Sequence, residues 1–257
     1  MKLQGRHVVV TGGSRGIGAR IGAAFAAEGA QVTLCARGEG QLAATAGEIG
    51  ARHVTADLTK TSGLPKLVEQ LEALGPVDVL VNNAGIGLPR AFEDLTAEQL
   101  QALFTLNALV PAELSRLLIP SMRQRGTGRL VFISSLSAQV ALPGLTAYSA
   151  TKAAVSQLAE GLRRDLTGSG VGVTTAELGP IRTDLYAEIE EYPPCVNAFN
   201  RLIRLGFLRM LEPEDVAGAV VRACRADRAR VVLPRRGRTQ VAAAHLPQWL
   251  ANRMLRG

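Results

Sequence analysis

Cysteine and histidine are both rare in this chain, with three residues of each among 257. The cysteines lie far apart and show none of the paired spacing of a disulfide framework or a zinc site. The histidines form no cluster, which argues against a metal-dependent enzyme. The sequence therefore predicts no metal site and a reduced, intracellular setting. These residues are Cys35, Cys195, Cys224, His7, His53 and His245.

Long apolar runs are missing as well. The first residues, MKLQGRHVVVTGG, lack the apolar core and the small-residue cleavage site of a secretory signal. We expect no segment with the ~20 predominantly apolar residues that a membrane span needs. The sequence predicts a soluble, cytoplasmic protein, and it leaves peripheral contact with a membrane open.

Acidic residues are nearly absent from the end of the chain. From residue 222 onward nine arginines are offset by one acid, Asp227, so this stretch carries +8, whereas the formal net charge of the whole chain is +7. The preceding 221 residues therefore sum to −1. A charge confined to one end does not give the broad electrostatic footprint of a nucleic-acid-binding protein, so no nucleic-acid partner is expected.

Residues 234–257 form a basic tail. Pro247 is suited to open a short helix that presents an apolar stripe beside two arginines. A basic amphipathic tail contacts an anionic membrane surface, an acidic carrier protein or another subunit, and packing on its own domain is a further alternative. The stripe consists of Leu246, Trp249, Leu250 and Met254, and the arginines are Arg253 and Arg256.

Short β-branched runs alternate with Ala-, Leu- and Glu-rich stretches that have helical apolar spacing. This alternation predicts an α/β, Rossmann-type doubly wound fold, with a mostly parallel, seven-stranded sheet covered by helices on both faces. No repeat or low-complexity linker interrupts residues 1–257, so a single domain is expected. The predicted strands are residues 7–11, 32–36, 54–57, 77–82, 129–134, 171–177 and 230–233, and helices are predicted for residues 18–28, 64–74, 97–123 and 150–166.

The first predicted strand runs into a glycine-rich turn, TGGSRGIG at residues 11–18, and then into a helix. Gly12, Gly16 and Gly18 let the backbone turn sharply and approach a pyrophosphate, whose charge is met by the N–H groups and dipole of the helix. The spacing is GxxxGxG rather than the GxGxxG of the usual dinucleotide fingerprint. Its position after the first strand favours nucleotide binding over a simple turn.

The end of the second predicted strand indicates which nucleotide is bound. NAD-binding enzymes place an acid there for the ribose 2′-hydroxyl, whereas NADP needs cations for the 2′-phosphate. Here the strand ends at Arg37, with no acid before Glu39, and Arg15 lies inside the glycine turn. We predict that Arg15 and Arg37 form a fork for NADP(H), with unrelated solvated arginines as the alternative.

Further motifs follow in order along the chain. Asp57-Leu58 follows the third strand, Asn82-Asn83-Ala84-Gly85 the fourth, ISS ends the fifth, and a YxxxK pair lies in AYSATKAAV. Together with the glycine turn, these motifs resemble the short-chain dehydrogenase/reductase family, of the NADP-preferring carbonyl reductase type, over about the first 185 residues. The resemblance implies the catalytic residues Asn107, Ser135, Tyr148 and Lys152. It implies the cofactor-binding residues Gly12, Ser14, Arg15, Gly16, Ile17, Gly18, Arg37, Asp57, Leu58, Asn83, Ala84, Gly85, Tyr148, Lys152, Gly179, Ile181 and Thr183.

The spacing of the predicted catalytic residues has a physical meaning of its own. Tyr148 and Lys152 are four residues apart, so both project from one face of a helix. A lysine ammonium near a phenol favours the phenolate and is expected to lower a pKa that starts at about 10, an effect to which the positive nicotinamide of the oxidised cofactor adds. Ser135 precedes Tyr148 by 13 residues and is expected to hold the substrate carbonyl by a hydrogen bond.

The resemblance weakens after about residue 185. Leu178 stands where the family has proline, so the loop that carries the nicotinamide contacts is expected to be less stiff. Residues 184–211 occupy the variable substrate lid, and their aromatic content predicts a hydrophobic ketone or aldehyde, with packing of the lid on the core as the alternative. The lid aromatics are Tyr186, Tyr192, Phe199 and Phe207, and its arginines, Arg201, Arg204 and Arg209, face either solvent or an acidic group.

These observations predict an NADPH-dependent carbonyl reductase. The resemblance implies that Tyr148 gives a proton to the carbonyl oxygen, Lys152 orients the ribose and tunes Tyr148, Ser135 positions the carbonyl, and Asn107 supports the proton relay. Alcohol oxidation by the same residues and a non-catalytic nucleotide sensor or scaffold are the alternatives. The resemblance also implies a homodimer or homotetramer built from the helices around residues 97–123 and 150–166.

Overall fold

The computed structural model describes residues 1–234, which form seven strands and nine α-helices. The strands are β1 (His7–Thr11), β2 (Gln31–Ala36), β3 (Arg52–Thr55), β4 (Val79–Asn82), β5 (Gly128–Ser135), β6 (Val171–Leu178) and β7 (Arg230–Leu233). The helices are α1 (Gly16–Ala27), α2 (Glu39–Glu48), α3 (Leu64–Ala73), α4 (Ala97–Phe104), α5 (Val110–Gln124), α6 (Thr146–Asp165), α7 (Asp184–Glu190), α8 (Pro193–Arg204) and α9 (Pro213–Arg225).

The strands form one parallel sheet in the order β3-β2-β1-β4-β5-β6-β7. This confirms the predicted fold class, and the bounds of β1 and β7 agree with the predicted residues. The sequence order reverses between β1 and β4, and the turns after these two strands leave the same edge of the sheet. A crevice for a ligand is expected at this point.

Two apolar cores cover the two faces of the sheet, because successive side chains of a strand point to opposite faces. In β1, Val8 and Val10 pack into the core that includes Phe25 of α1 and Val220 of α9. Val9 packs into the opposite core, with Leu114 of α5. The continuous run of buried β-branched residues in β1 is what a strand covered on both faces requires.

The segment Ala97–Gln124 is long and apolar enough to cross a membrane by length and composition alone, so the expectation that no segment has this character is wrong. Its apolar side chains have another use, since Leu103, Leu114 and Met122 are fully buried inside the protein. The segment starts at a capping box in which Thr96 and Gln99 bond each other's backbone N–H groups. A π-helical turn, Thr105–Leu109, separates α4 from α5.

The predicted lid contains α7 and α8. Cys195, Phe199 and Leu202 of α8 are buried against Leu136 and Leu142 of the loop after β5, and so form a third, smaller apolar core. The predicted basic tail lies outside the described residues, apart from Pro234. The lid therefore sits beside the sheet edge at which β5 ends.

Candidate active site

A cleft of about 600 Å³ lies at the carboxyl ends of the strands, between the sheet and the lid. It brings together every predicted site residue except Asn107. The predicted residues that line it are Gly12, Ser14, Arg15, Gly16, Ile17, Gly18, Arg37, Asp57, Leu58, Asn83, Ala84, Gly85, Ser135, Tyr148, Lys152, Gly179, Ile181 and Thr183.

The glycine turn between β1 and α1 is closely packed. A Cβ on Gly18 would lie 2.2 Å from the carbonyl oxygen of Gly12, and one on Gly12 would lie 2.9 Å from Cα of Ala84. Gly12 and Gly16 have φ values of +66° and +57°, a region that glycine adopts at low cost. The turn can have this shape only with glycine at these positions, and the shape leaves its backbone open to the cleft.

Thr11, at the end of β1, joins the glycine turn to the loop after β4. Its Oγ1 accepts hydrogen bonds from the backbone N–H groups of Asn83 (3.0 Å) and Ala84 (3.1 Å), and it donates to the carbonyl of Val81 (3.2 Å). Asn83 Nδ2 donates to the Thr11 carbonyl at 2.9 Å, and its buried Oδ1 has no protein partner in the described part of the chain. Thr11 is not among the residues predicted from the sequence, although a hydroxyl directly before a glycine turn is a signal that the sequence contains.

The two arginines of the predicted phosphate fork both line the cleft, but Arg15 has an unexpected partner. Its Nη1 lies 3.1 Å from Oδ2 of Asp184, the first residue of α7, and both side chains are more than half exposed. Such an exposed ion pair contributes about 1 kcal/mol or less to stability.

The other predicted fork residue, Arg37, acts on Asp57. A hydrogen bond from the Thr59 side chain, with a smaller contribution from the Arg37 charge, lowers the pKa of Asp57.

Tyr148 and Lys152 project from α6 into the cleft, as their spacing predicts. Lys152 is almost fully buried, and its Nζ lies 5.6 Å from the centre of the Tyr148 ring and donates to the carbonyl of Ile133 at 2.9 Å. Burial lowers the pKa of Lys152 to about 8, because the apolar surroundings disfavour its charge.

The expected lowering of the Tyr148 pKa is wrong for the chain by itself. Burial raises the pKa of Tyr148 to about 12, and the Ser135 hydroxyl offsets only part of this rise. Taking the phenolate out of water costs more than the hydrogen bond with Ser135 returns. The phenol is therefore protonated at neutral pH.

Ser135 is the last residue of β5, and its hydroxyl accepts from the backbone N–H of Ser137 (3.1 Å) and from the Ser137 hydroxyl (2.9 Å). The preceding Ser134 points elsewhere: its hydroxyl donates to the Lys152 carbonyl (3.1 Å) and bonds Ser156 (2.7 Å). Ser134 therefore ties β5 to α6. Neither Ser134 nor Ser137 was singled out from the sequence.

Asn107 lies in the π-helical turn and is almost fully buried. Its Oδ1 accepts from the Ile86 N–H (2.9 Å), and its Nδ2 donates to the Ile86 carbonyl (3.0 Å) and to Thr151 Oγ1 (3.1 Å). A Cβ on Gly85 would lie 3.0 Å from Asn107 Oδ1 and 3.7 Å from Lys152 Nζ. Asn107 thus supports the cleft floor from behind, next to Lys152, rather than lining the cleft.

The loop after β6 is held by backbone bonds although it lacks the family's proline. Gly179 N–H donates to the Leu233 carbonyl at 2.7 Å, and Ile181 forms a bridge with Leu211. Thr183 Oγ1 donates to the Ile181 carbonyl at 3.3 Å. Neighbouring strand β7 and the chain at residue 211 therefore supply the restraint at Gly179 and Ile181.

The part of the cleft beside the lid is mostly apolar, although Asp184 and Glu188 of α7 also line it. Two of the four lid aromatics, Tyr186 and Phe199, line it and contact each other edge to face with ring centres 6.0 Å apart. Tyr192 and Phe207 instead pack on the third core. The three lid arginines do not line the cleft. Its other apolar lining residues are Leu136, Val140, Leu142, Leu145, Leu185, Ile189, Leu202 and Leu208.

The sequence profile described as short chain dehydrogenase matches residues 6–193. Ketoacyl reductase HetN of Nostoc sp. is 34% identical over 238 residues, which cover 90% of this chain and 79% of that protein. The 3-ketodihydrosphingosine reductase of Bos taurus is 36% identical over 233 residues, which cover 86% of this chain and 69% of that protein.

A solved structure leads to the same family. The 3-oxoacyl (acyl-carrier-protein) reductase of Agrobacterium tumefaciens C58, with NADP bound, has a TM-score of 0.79 and 31% identity, with coverage of 90% of this chain and 93% of that chain. The matching profile spans most of the chain, and the strand ends of this sheet carry the motifs described above. This chain therefore belongs to the short-chain dehydrogenase/reductase family of oxidoreductases, which act on CH–OH and C=O groups.

Proposed function

We propose that this protein reduces a hydrophobic ketone or aldehyde to an alcohol with NADPH. The observation that carries the proposal is one cleft in which Ser135, Tyr148 and Lys152 face a glycine turn built for close backbone approach. A non-catalytic nucleotide sensor would need the glycine turn but not these three side chains. Their convergence therefore supports an enzyme over a sensor or scaffold.

The residues of the cleft fit a nicotinamide dinucleotide. Gly12 and Gly18 leave no room for side chains, and the buried Asn83 Oδ1 has no protein partner within residues 1–234. Arg37 follows β2, where an NAD-binding enzyme would have an acid, and Arg15 lines the same cleft from the glycine turn. When bound, NADPH supplies a hydride for the carbonyl carbon. The NADP in the related 3-oxoacyl reductase supports this choice of cofactor.

The protonation state of Tyr148 suits reduction. Since burial keeps its phenol protonated at neutral pH, Tyr148 can donate a proton to the carbonyl oxygen as negative charge develops there. Ser135 donates a hydrogen bond to the same oxygen, and Lys152 orients the ribose and stabilises the resulting phenolate. Asn107 holds Ile86 and the floor of the cleft, next to the path by which the proton is restored. The reverse reaction, alcohol oxidation, uses the same groups.

The apolar lid supports a substrate with a hydrophobic chain. Leu142, Phe199 and Leu202 line the cleft and also pack in the third core, so packing fixes these apolar parts of its wall. Two of the relatives are named as a ketoacyl reductase and a 3-ketodihydrosphingosine reductase, which supports a keto group on such a chain.

The setting of the enzyme is part of the proposal. We place it in the cytoplasm as a homodimer or homotetramer, with the basic tail as a peripheral contact for an anionic membrane or an acidic partner. The charge of +8 from residue 222 onward supports an anionic surface, and binding that depends on it should weaken as salt rises.

A steady-state assay tests this function. NADPH and NADH consumption should be followed with ketones and aldehydes of increasing alkyl length, including acyl thioesters, steroids and aromatic aldehydes. We expect NADPH to be preferred and kcat/KM to rise with apolar chain length. Tyr148→Phe should lose most activity, and Lys152→Met should lose activity and cofactor affinity. The absence of NADPH oxidation across the panel, or equal rates for wild type and Tyr148→Phe, would refute the proposal.

A further inference from the structure

The hydroxyl of Ser135 has both of its acceptor positions occupied by one residue. Ser137 donates to it twice, from its backbone N–H at 3.1 Å and from its side-chain hydroxyl at 2.9 Å. A serine hydroxyl has two lone pairs and one hydrogen. The two bonds from Ser137 therefore leave Ser135 with its hydrogen alone for any further partner.

We propose that Ser137 is a positioning residue that keeps Ser135 a hydrogen-bond donor, toward Tyr148 before substrate binds and toward the substrate carbonyl once substrate is bound. This inference rests on the proposed function, since it assigns a direction to a hydrogen bond within that site. With both lone pairs used, the Ser135 hydroxyl cannot rotate to accept from the Tyr148 phenol. It can only donate, which is what a carbonyl oxygen requires.

Burial explains why Ser137 can hold this orientation. Ser137 is only 7% exposed, although it lines the wall of the cleft, so water does not compete freely for its hydroxyl. Its short 3-10 turn, Leu136–Ala138, begins at Ser135 and fixes the backbone donor as well. In the described part of the chain, no other side chain donates to Ser135.

The electrostatics of Tyr148 agree with a donating Ser135. The Ser135 hydroxyl lowers the pKa of Tyr148 against the effect of burial. A Ser135 that donates to Tyr148 stabilises the phenolate and lowers this pKa in the same direction. A freely rotating Ser135 would spend part of its time accepting from the phenol and would stabilise the protonated form instead. Loss of the Ser137 hydroxyl should therefore raise the pKa of Tyr148.

The test compares Ser137→Ala with Ser137→Thr, which keeps the hydroxyl, and with Ser121→Ala, a control. The Ser121 hydroxyl bonds Glu72 and the Leu118 carbonyl on α5, outside the cleft. We expect Ser137→Ala to lower kcat for ketone reduction roughly fivefold to tenfold, with KM for NADPH unchanged, because the lost hydrogen bond orients Ser135 in the transition state. Thr should restore most of kcat.

A second readout is the pH profile of alcohol oxidation. Its rate rises with pH as the Tyr148 phenol deprotonates, and in Ser137→Ala this rise should move to higher pH. Unchanged kcat and an unchanged profile in a folded Ser137→Ala protein would overturn the proposal. The proposal would also be overturned if kcat fell in Ser137→Ala, was not restored in Ser137→Thr, and the pH profile stayed the same. That result would mean that Ser137 acts only through packing.

A third readout needs neither substrate nor cofactor. In protein made with isotope-labelled tyrosine, the Cζ resonance of Tyr148, assigned with Tyr148→Phe, should shift in Ser137→Ala and stay in place in Ser121→Ala. If wild type turned over no ketone, the proposed function would fail while this measurement still decided the role of Ser137. If Ser137→Ala does not fold, Ser137→Cys replaces it, because a thiol is a weak hydrogen-bond donor. A Tyr148 resonance that stays at its wild-type position in the folded variant would overturn the proposal.

Discussion

Burial favours the neutral forms of both Tyr148 and Lys152. For Tyr148 this keeps the proton that a reductase must donate. For Lys152 it means that the free chain holds an ammonium at an energetic cost, with the Ile133 carbonyl as its hydrogen-bond acceptor. A bound anionic cofactor would relieve that cost, so the lysine is poised for an anion in the cleft.

The cost at Lys152 predicts a pH-dependent stability of the ligand-free protein. The pKa of Lys152 falls from 10.5 to about 8 on folding, so between these pH values the unfolded chain binds one more proton than the folded one. Stability must then rise with pH across this window, by up to about 3 kcal/mol. Urea unfolding of wild type and Lys152→Met, compared at each pH, isolates this contribution. A difference that stayed constant or fell with pH would contradict it.

Arg15 connects cofactor choice to the lid. Arg15 pairs with Asp184, and in the proposed NADPH complex this pairing would compete with the 2′-phosphate for the same guanidinium. Arg15→Ala and Arg37→Ala should each raise KM for NADPH about tenfold and leave KM for NADH nearly unchanged, as the loss of a charged hydrogen bond implies. Asp184→Asn, the matched control, should lower KM for NADPH by no more than about threefold, since the pair is exposed. Equal effects of the arginine variants on both cofactors would disprove the fork.

Among the elements, the β1–α1 turn is the least tolerant of change. Gly18 packs against the Gly12 carbonyl, a backbone group that cannot move aside without breaking the turn. Gly161, four residues before the end of α6, has nothing within 4 Å of a Cβ position. A substitution at Gly18 therefore tests a steric requirement, whereas the same substitution at Gly161 tests helix propensity alone.

Alanine substitution at the two glycines should have opposite effects. Gly18→Ala should abolish NADPH binding, measured by fluorescence titration, and lower the free energy of unfolding by at least about 2 kcal/mol, as strained packing does. Gly161→Ala should raise stability by up to about 1 kcal/mol, because alanine is the better helix former. Retention of NADPH binding in Gly18→Ala would show that the turn can relax and would remove the steric argument.

Local spacing explains which parts of the site were predictable from the sequence. The glycine turn and the pair Tyr148 and Lys152 are defined by a few consecutive residues, so their geometry follows from one element. The contact of Arg15 with Asp184 joins residues 169 positions apart, and the support of Ile86 by Asn107 joins residues 21 positions apart. Such contacts depend on how elements pack, and sequence spacing does not encode them.

At the scale of the whole molecule, the parallel sheet followed from the alternation of strands and helices, whereas the electrostatics of the site did not. The pKa values of Tyr148 and Lys152 depend on how much water the folded cleft admits, a property of the lid, α6 and β5 together. The sequence also shows that residues 1–221 are almost neutral and that the rest of the chain is basic. It does not identify the anionic partner of the basic residues.

A remaining apolar surface lies on the outer side of α4 and α6, where Phe104 is 42% and Leu109 53% exposed in a groove that also includes Leu158. These are helices from which the family resemblance predicts a homodimer or homotetramer. A charge buried in a subunit interface at this groove would strongly destabilise that interface. Phe104→Glu should therefore lower the molecular mass measured by light scattering to that of one 27.1 kDa chain. Phe92→Glu, the same change at a residue that is 53% exposed outside the groove, should leave the assembly intact. A monomeric wild type, or equal dissociation by both variants, would exclude this groove as the subunit interface.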